Sequence, residues 1–416
     1  MSIIEYGLII SACLVFTGVF LVRPNYALLA IAATLPVFFV KIGGVKIVHV
    51  LGAVYVMSVL FSKLIEKDEG EQYYAIVYLL IVLTSVTYAY IIDNFSAGNV
   101  YIGLTGSALL VFCVLSHVKQ KVIINYAVIV FATSVLIMDV LTLLSIVGVY
   151  QPPVQVVKLS SEGIRITGTL KTPTIFAGAQ VLALFPFLML SLSRRGIRRL
   201  YGVFGFLVVG ALLVMSQSRS AIGGAVISVI IVLWKTNDQS LRNVGYRKIS
   251  IAVFSIAVVS FLLYKGQIGG YRLSRISGDN PIMYQMSPQD IVGARGGEFR
   301  AGISAVAHNP VGYGLTGPTE YVYTATDGLS RSSHNFILHH LSKYGIFFGT
   351  LFTILWLYPL YLGLHYYKVN FSYYSIGPYL WVSVIAYLFH AFFHGATNWI
   401  FFWLMWAFAW QWMYLE

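Results

Sequence analysis

Long apolar runs dominate the chain, and polar residues collect in short breaks between them. A helix that crosses a bilayer needs about 20 mostly apolar residues. By that measure the pattern predicts spans at 4–22, 26–40, 47–62, 73–92, 100–118, 122–148, 173–193, 200–217, 220–234, 249–264, 335–362, 375–393 and 398–414. Several are short or abut one another, so about twelve crossings are expected. The fold class is therefore an all-α polytopic membrane protein, with one transmembrane domain over 1–416. The single long polar stretch, 265–333, is expected to form an ordered external loop within that domain. Inside it, 295–307 reads as a short amphipathic helix ending at His308-Asn309-Pro310. The start, Met1 to Glu5, lacks a basic region and a small-residue cleavage site, so it reads as a retained first span.

Composition sharpens this picture. The chain is 58% hydrophobic and only 10% charged, with mean hydropathy +0.79. A soluble surface carries about a quarter charged residues, so lipid must be the solvent for much of this one. Disordered chains, coiled coils, disulfide scaffolds and cytosolic enzymes are excluded. Cys13 and Cys113 sit inside apolar runs and read as small buried hydrophobes rather than a disulfide or metal pair.

The net charge of +12 comes from 27 Lys+Arg against 15 Asp+Glu. In a membrane protein such an excess first marks cytoplasmic loops. The basic breaks at Lys119 and Lys121, at Arg194–Arg199, and at 235–248 are expected on the cytoplasmic side. Alternation then puts 149–172, Ser216–Ser220, 265–333 and 394–398 on the opposite side. Without a basic, aromatic-interleaved soluble domain, nucleic acid is not an expected partner.

Three residues on that opposite side carry candidate chemistry. Arg219 stands in Ser218-Arg219-Ser220, where one apolar run ends and the next begins. An arginine between spans is costly unless it meets an anion or water; snorkelling to the interface is the structural alternative. Arg295 opens the amphipathic segment, with Arg300 beyond it; a solvated loop charge is the alternative. His334 precedes a long apolar helix that Ser332 or Ser333 could cap. The positive end of that helix favours the neutral imidazole that a general base requires, whereas a packing or capping role is the simpler alternative. Arg165 and Lys171 lie in the earlier external loop. Arginine forks match phosphate oxygens bidentately. Two or three arginines converging with a neutral histidine would suit a diphosphate leaving group and a base.

Other patterns point to packing. Gly312 to Gly317 matches G-x-G-x-x-G without a preceding strand, so it reads as a turn after Pro310 rather than a dinucleotide cradle. His390 and His394 have helical i, i+4 spacing without the glutamate of a metal motif and read as interface residues; no metal site and no cofactor are expected. His339 and His340 read as packing residues. The external acids are Asp93, Glu162, Glu298, Glu320 and Asp327, any of which could replace His334 as base. The many Trp and Tyr between 356 and 412 suit an interfacial belt.

The ordered set resembles the integral-membrane O-antigen ligase and O-antigen polymerase superfamily. The resemblance rests on Ser218-Arg219-Ser220, then Gly293-Ala294-Arg295 with Phe299, then Asn309-Pro310 and Gly312-x-Gly314. It ends with Ser333-His334-Asn335, Leu338 and Gly345 on a helix that re-enters the membrane. This chain has Phe299 where the family usually has tryptophan, and Ser342-Lys343-Tyr344 where a glutamate often stands. The resemblance implies a GT-C-like glycosyltransferase of the bacterial inner membrane working on its periplasmic face. Its donor would be a glycan on undecaprenyl diphosphate, and its acceptor a sugar hydroxyl on a lipid-linked repeat unit or on lipid A-core. Arg219 and Arg295 would hold the diphosphate and His334 would deprotonate the acceptor, without a metal and with inversion. Arg165, Arg300, Asn335 and Ser218 would line the substrate site, and a chain-length regulator would be a further partner.

Within that superfamily, the run Ser333-His334-Asn335-Phe336 resembles polymerases more than ligases, with ligase as the first alternative. A transporter or flippase for an anionic lipid-linked substrate would use the same arginines. It calls for intramembrane charges and paired broken helices.

Overall fold

The computed structural model describes residues 23–37, 41–42, 45–65, 73–150, 157–160, 163–168, 170, 172–193, 196–235, 299–317, 335–365, 375–393 and 400–415. The spans expected at 4–22 and 249–264 lie outside these residues. The described helices are α1 (Pro24–Thr34), α2 (Ile47–Ile65), α3 (Tyr73–Ile92), α4 (Gly98–His117), α5 (Lys121–Ile146), α6 (Pro173–Ser191), α7 (Gly196–Met215) and α8 (Arg219–Lys235). Then come α9 (299–308), α10 (Phe336–His365), α11 (Gly377–Phe392) and α12 (Ile400–Tyr414). Among the described residues, six helices are long and apolar enough to cross a membrane: α3, α4, α5, α6, α7 and α10. The protein is a polytopic helical membrane protein.

Two details depart from the all-α expectation. Lys41–Ile42 (β1) pairs with Val45–Lys46 (β2), and Val157–Ser160 (β3) pairs with Gly163–Ile166 (β4), each antiparallel. Among the described residues, the apolar run 26–40 also holds no helix long enough to cross a membrane. Its helix stops at Thr34 and gives way to a 3-10 turn at Leu35–Val37. Pro36 sits in that turn, and proline has no backbone N–H with which to extend a helix. Eleven residues rise only about 16 Å, half the hydrocarbon thickness.

The centre of the bundle is α12, packed against α4, α5, α6, α10 and α11. A helix apolar all round is buried by protein or by lipid, and here it is protein. Trp356, Trp381, Trp403 and Trp406 are fully buried. Among the described residues, the tryptophans expected in an interfacial belt over 356–412 instead fill an aromatic core, while Tyr358 and Tyr361 are exposed. Trp356 packs 4.7 Å from Phe402, 4.8 Å from Trp403 and 5.0 Å from Trp406, ring centre to ring centre. Buried indole N–H groups need acceptors: Trp406 donates to the Trp356 carbonyl (3.2 Å) and Trp381 to the Pro359 carbonyl (3.1 Å). Cys113 is buried, as expected from its apolar setting.

The two ends of the bundle differ. At one end, Gln411 near the end of α12 donates to the Val118 carbonyl beyond α4 (2.5 Å) and accepts from Tyr74 at the start of α3 (2.7 Å). Lys121 lies over the Trp412 ring there. Following each helix from this end, the breaks Asp93–Ala97, 147–150 and Ser216–Ser218 fall at the opposite end. The alternation drawn from sequence therefore holds for the described helices α3 to α8.

Candidate active site

The α7–α8 turn is built to present Arg219. Gln217 takes a left-handed conformation (φ 56), uncommon for a residue with a side chain. Ser216 stabilises the turn through its hydroxyl, which donates to the Leu213 carbonyl (2.6 Å) and accepts from the Ser218 amide (3.3 Å). The Ser218 carbonyl then accepts from Ile222 N (3.0 Å), starting α8. Arg219 is exposed on its first turn, while Ser218 and Ser220 are buried. The Ser218 hydroxyl is buried without a hydrogen-bond partner among the described residues. A helix N-terminus carries partial positive charge and free N–H groups, so an exposed arginine there adds to a field already suited to an anion.

Ser220 ties this turn to two other helices. Its Oγ lies 2.9 Å from His390 Nδ1 on α11. His390 Nε2 lies 3.1 Å from the Thr174 carbonyl in the first turn of α6. A carbonyl can only accept, so Nε2 carries the proton. In the neutral ring Nδ1 then accepts from the Ser220 hydroxyl. Thr172 caps α6, accepting from Ile175 N (3.3 Å), and Pro173 follows at the first helical position.

The same end carries the start of α10. Asn335 is buried; its Oδ1 accepts from Leu338 N (3.0 Å) and its carbonyl from His339 N (2.9 Å). The helix cap is thus Asn335, not Ser332 or Ser333, because Asn335 is the residue immediately before the first helical turn. A ligand role for Asn335 falls to its amide nitrogen. Phe336 meets Phe392, two residues beyond His390, with ring centres 6.4 Å apart. Arg219 and Asn335, the neighbour of His334 in sequence, are therefore linked through Ser220, His390, Phe392 and Phe336 at one end of the bundle.

α10 is not continuous. Gly345 (φ 76, ψ 170) interrupts it, and Gly349 lies against the His340 carbonyl, which a straight helix would hold about 13 Å away. The segment 309–317 fills the break. Tyr313 N donates to the Ser342 carbonyl (2.8 Å), Gly314 N to the Lys343 carbonyl (3.1 Å), and Ile346 N to the Pro310 carbonyl (2.9 Å). Asn309 Nδ2 donates to the Gly312 carbonyl (2.9 Å), and Thr316 donates to Asp93 Oδ1. The glycine pattern thus serves close packing: Gly312 abuts Gly345, and Gly314 abuts Ala89 and Asp93. It is a docked strap rather than a free turn.

Of the residues proposed from sequence, Arg219, Ser218 and Asn335 share this end. Arg300 is exposed on α9, whose buried side is Ala301, Gly302 and Ala305. The large apolar Phe299 and Ile303 face outward, the reverse of the amphipathic pattern expected, because only the short side chains let α9 lie close. Arg165 pairs with Lys158 in the β3–β4 hairpin, which precedes α6 at the same end. Arg295, His334, Glu162, Glu298, Glu320, Asp327 and His394 lie outside the described residues. Asp93 is described and is engaged with Thr316. His340 is fully buried, its Nδ1 3.3 Å from Thr353 Oγ1, a packing role.

Two features escape a reading of the sequence. The only trace of the Ser220–His390–Thr174 chain is a row of small residues, Ser220, Gly224 and Ser228, spaced by about one helical turn. Asp139 does not stand out within its apolar run. It is fully buried on α5, and its Oδ1 accepts from Gln180 Nε2 (2.7 Å). Among the described residues no group of three or more His, Cys, Asp or Glu could hold a metal ion.

Residues 204–354 match the family model described as O-Antigen ligase. The match runs from within α7 to within α10 and includes Ser218, Arg219, Arg295, Arg300, His334 and Asn335, while Arg165 precedes it. The resemblance to the O-antigen ligase and polymerase superfamily is shown over that segment. Over that segment, about a third of the chain, the protein is similar to a family of glycosyltransferase-type enzymes. No curated protein and no solved structure matches the chain.

Proposed function

We propose that the protein is a polysaccharide polymerase of the O-antigen type, transferring a glycan from undecaprenyl diphosphate to an acceptor sugar hydroxyl at the periplasmic face. The observation that carries this reading is the exposed Arg219 on the first turn of α8, beside the buried Ser218 hydroxyl, which has no hydrogen-bond partner among the described residues. The opposite end of the bundle holds Lys119, Lys121, Arg198 and Arg199, and cytoplasmic ends carry the excess of Lys and Arg. That rule supports a periplasmic setting for Arg219.

In this reading Arg219 and Arg295 bind the donor diphosphate, and Arg165, Arg300, Ser218 and Asn335 line the saccharide site. His334 accepts the proton of the acceptor hydroxyl as its oxygen attacks the anomeric carbon. The bond from that carbon to the phosphate oxygen breaks, and the lipid diphosphate leaves with inverted stereochemistry at the sugar. Charge grows on the leaving diphosphate, where fixed guanidinium groups in a water-poor site stabilise it most. The reading carries with it a GT-C-like arrangement of about twelve spans, a single transmembrane domain, and an inner-membrane location.

Ligase activity onto lipid A-core is the second reading, favoured by the description of the matching family. A transporter would use paired broken helices near the bilayer midplane. Among the described residues the non-helical interruption is the one at Gly345 in α10, which gives that reading no pair.

Glycan analysis of a strain lacking the protein tests the proposal. Surface lipopolysaccharide carrying one repeat unit supports a polymerase. Bare core with accumulated lipid-linked polymer indicates a ligase, and polymer retained inside indicates a transporter. Complementation with His334→Ala should restore nothing if the histidine is the base.

A further inference from the structure

Three contacts recur every four residues where α8 meets α11. Ser220 meets His390, Gly224 lies against the Ala386 carbonyl, and Ser228 donates to the Val382 carbonyl (3.0 Å). Small residues at this spacing let two antiparallel helices approach closely inside a membrane. Gly224 and Ser228 need only that closeness. Ser220 does something more, because its partner is a fully buried histidine whose other nitrogen holds a third helix.

We propose that His390 is a positioning residue for Arg219. The imidazole joins the first turn of α8 to the first turn of α6 through two hydrogen bonds of 2.9 Å and 3.1 Å. Ser220 is next to Arg219 on that first turn, so fixing its hydroxyl fixes the direction in which the guanidinium leaves the helix. The Ser216 hydroxyl braces the turn from within, between Leu213 and Ser218, and the Ser218 hydroxyl has no partner among the described residues. His390 instead ties the turn to two other helices. A bidentate contact to an anion depends on the angle of the guanidinium plane, so a swing of this turn weakens binding even where Arg219 itself is intact. Phe336 on α10 packs against Phe392, close to His390 on the same helix, so this segment of α11 also sets the entrance of α10. The proposal deepens the functional reading above and rests on it for the identity of the anion.

The test uses the full chain in lipid nanodiscs, with undecaprenyl diphosphate as the probe. Ser220→Ala removes the link to α8 and leaves the bond from His390 to Thr174 in place. His390→Gln keeps a donor for that carbonyl and serves as the conservative replacement. Ser220→Ala and His390→Ala should each weaken probe binding about five- to tenfold, the worth of one hydrogen bond, and His390→Gln should recover part of it. In an Arg219→Ala background the same changes should add nothing further, since coupled residues are not additive. Where Arg219→Ala itself weakens probe binding, full additivity in that background, or unchanged affinity, overturns the proposal.

A second readout is independent of the ligand. With Cys13→Ala and Cys113→Ala in place, Arg219→Cys is modified with a cationic methanethiosulfonate reagent. Adding Ser220→Ala or His390→Ala should change the rate several-fold, and an unchanged rate in both overturns the positioning role. If Arg219→Ala leaves probe binding intact, the diphosphate reading fails, and the thiol rates alone decide whether His390 sets the turn.

Discussion

Gly224 on α8 lies against the carbonyl oxygen of Ala386 on α11 so closely that no side chain fits between them. Its neighbour Gly223 faces the Phe389 ring, 3.1 Å from where a Cβ would stand. Since a backbone carbonyl cannot rotate aside, any side chain at 224 pushes the helices apart. Overpacking of this kind costs about 1–3 kcal/mol. Gly224→Ala should therefore lower the thermal midpoint of the purified protein, and Gly224→Leu should lower it further. Because Ser220 and His390 lie four residues along each helix, both changes should also weaken function more than their stability loss explains. A midpoint equal to that of the parent protein would contradict the packing described.

Gly345 allows the strap to dock. Its backbone (φ 76, ψ 170) is open to glycine and strained for other residues, and a Cβ there would collide with the Val311 carbonyl. Gly345→Ala should cost about 1–3 kcal/mol locally and release 309–317 from Ser342–Ile346. Limited proteolysis reads this directly: cleavage within 309–317 should quicken in the variant while the helices stay intact.

The spans are legible in the sequence because lipid imposes one simple rule: apolar runs of fixed length, with basic residues at one side. That rule locates α3 to α8 and the ends at which Lys121 and Arg219 lie. It cannot tell lipid from protein as the surroundings of a greasy helix, so it sends the tryptophans of α12 to an interface when they fill the core. It also misses the halt at Pro36 and the break at Gly345, where one residue overrides a long pattern. For the site, Arg219 stands out because a charge between two spans needs a reason. The Ser220–His390 bond does not, because the partners are 170 residues apart and each alone resembles ordinary packing.

Asp93 separates two roles that sequence leaves open. Its Oδ1 accepts from the Thr316 hydroxyl, so it anchors the strap. Asp93→Asn keeps an acceptor at that position and should retain most transfer activity, whereas Asp93→Ala should lose about 1 kcal/mol of local stability with the hydrogen bond. A general base is worth about 10²–10⁴ in rate. Loss of transfer on that scale in Asp93→Asn, measured as the polymer ladder of a complemented strain, would make Asp93 the base in place of His334.

Arg219 is the residue on which the proposed chemistry turns. If it stabilises the departing diphosphate, Arg219→Ala should lower transfer about 10²–10³-fold, the cost of removing one preorganised group from a charge that grows in the transition state. Arg219→Lys keeps the charge but loses the planar fork, so it should fall between Ala and the parent protein. An arginine that only snorkels would behave differently. Lysine also reaches the interface from that position, so Arg219→Lys would then be neutral and Arg219→Ala would change stability rather than rate. Single-turnover transfer, with thermal unfolding of the same preparations, distinguishes the two. A rate ordered parent, lysine, alanine at constant midpoint is the result expected of a diphosphate-binding arginine.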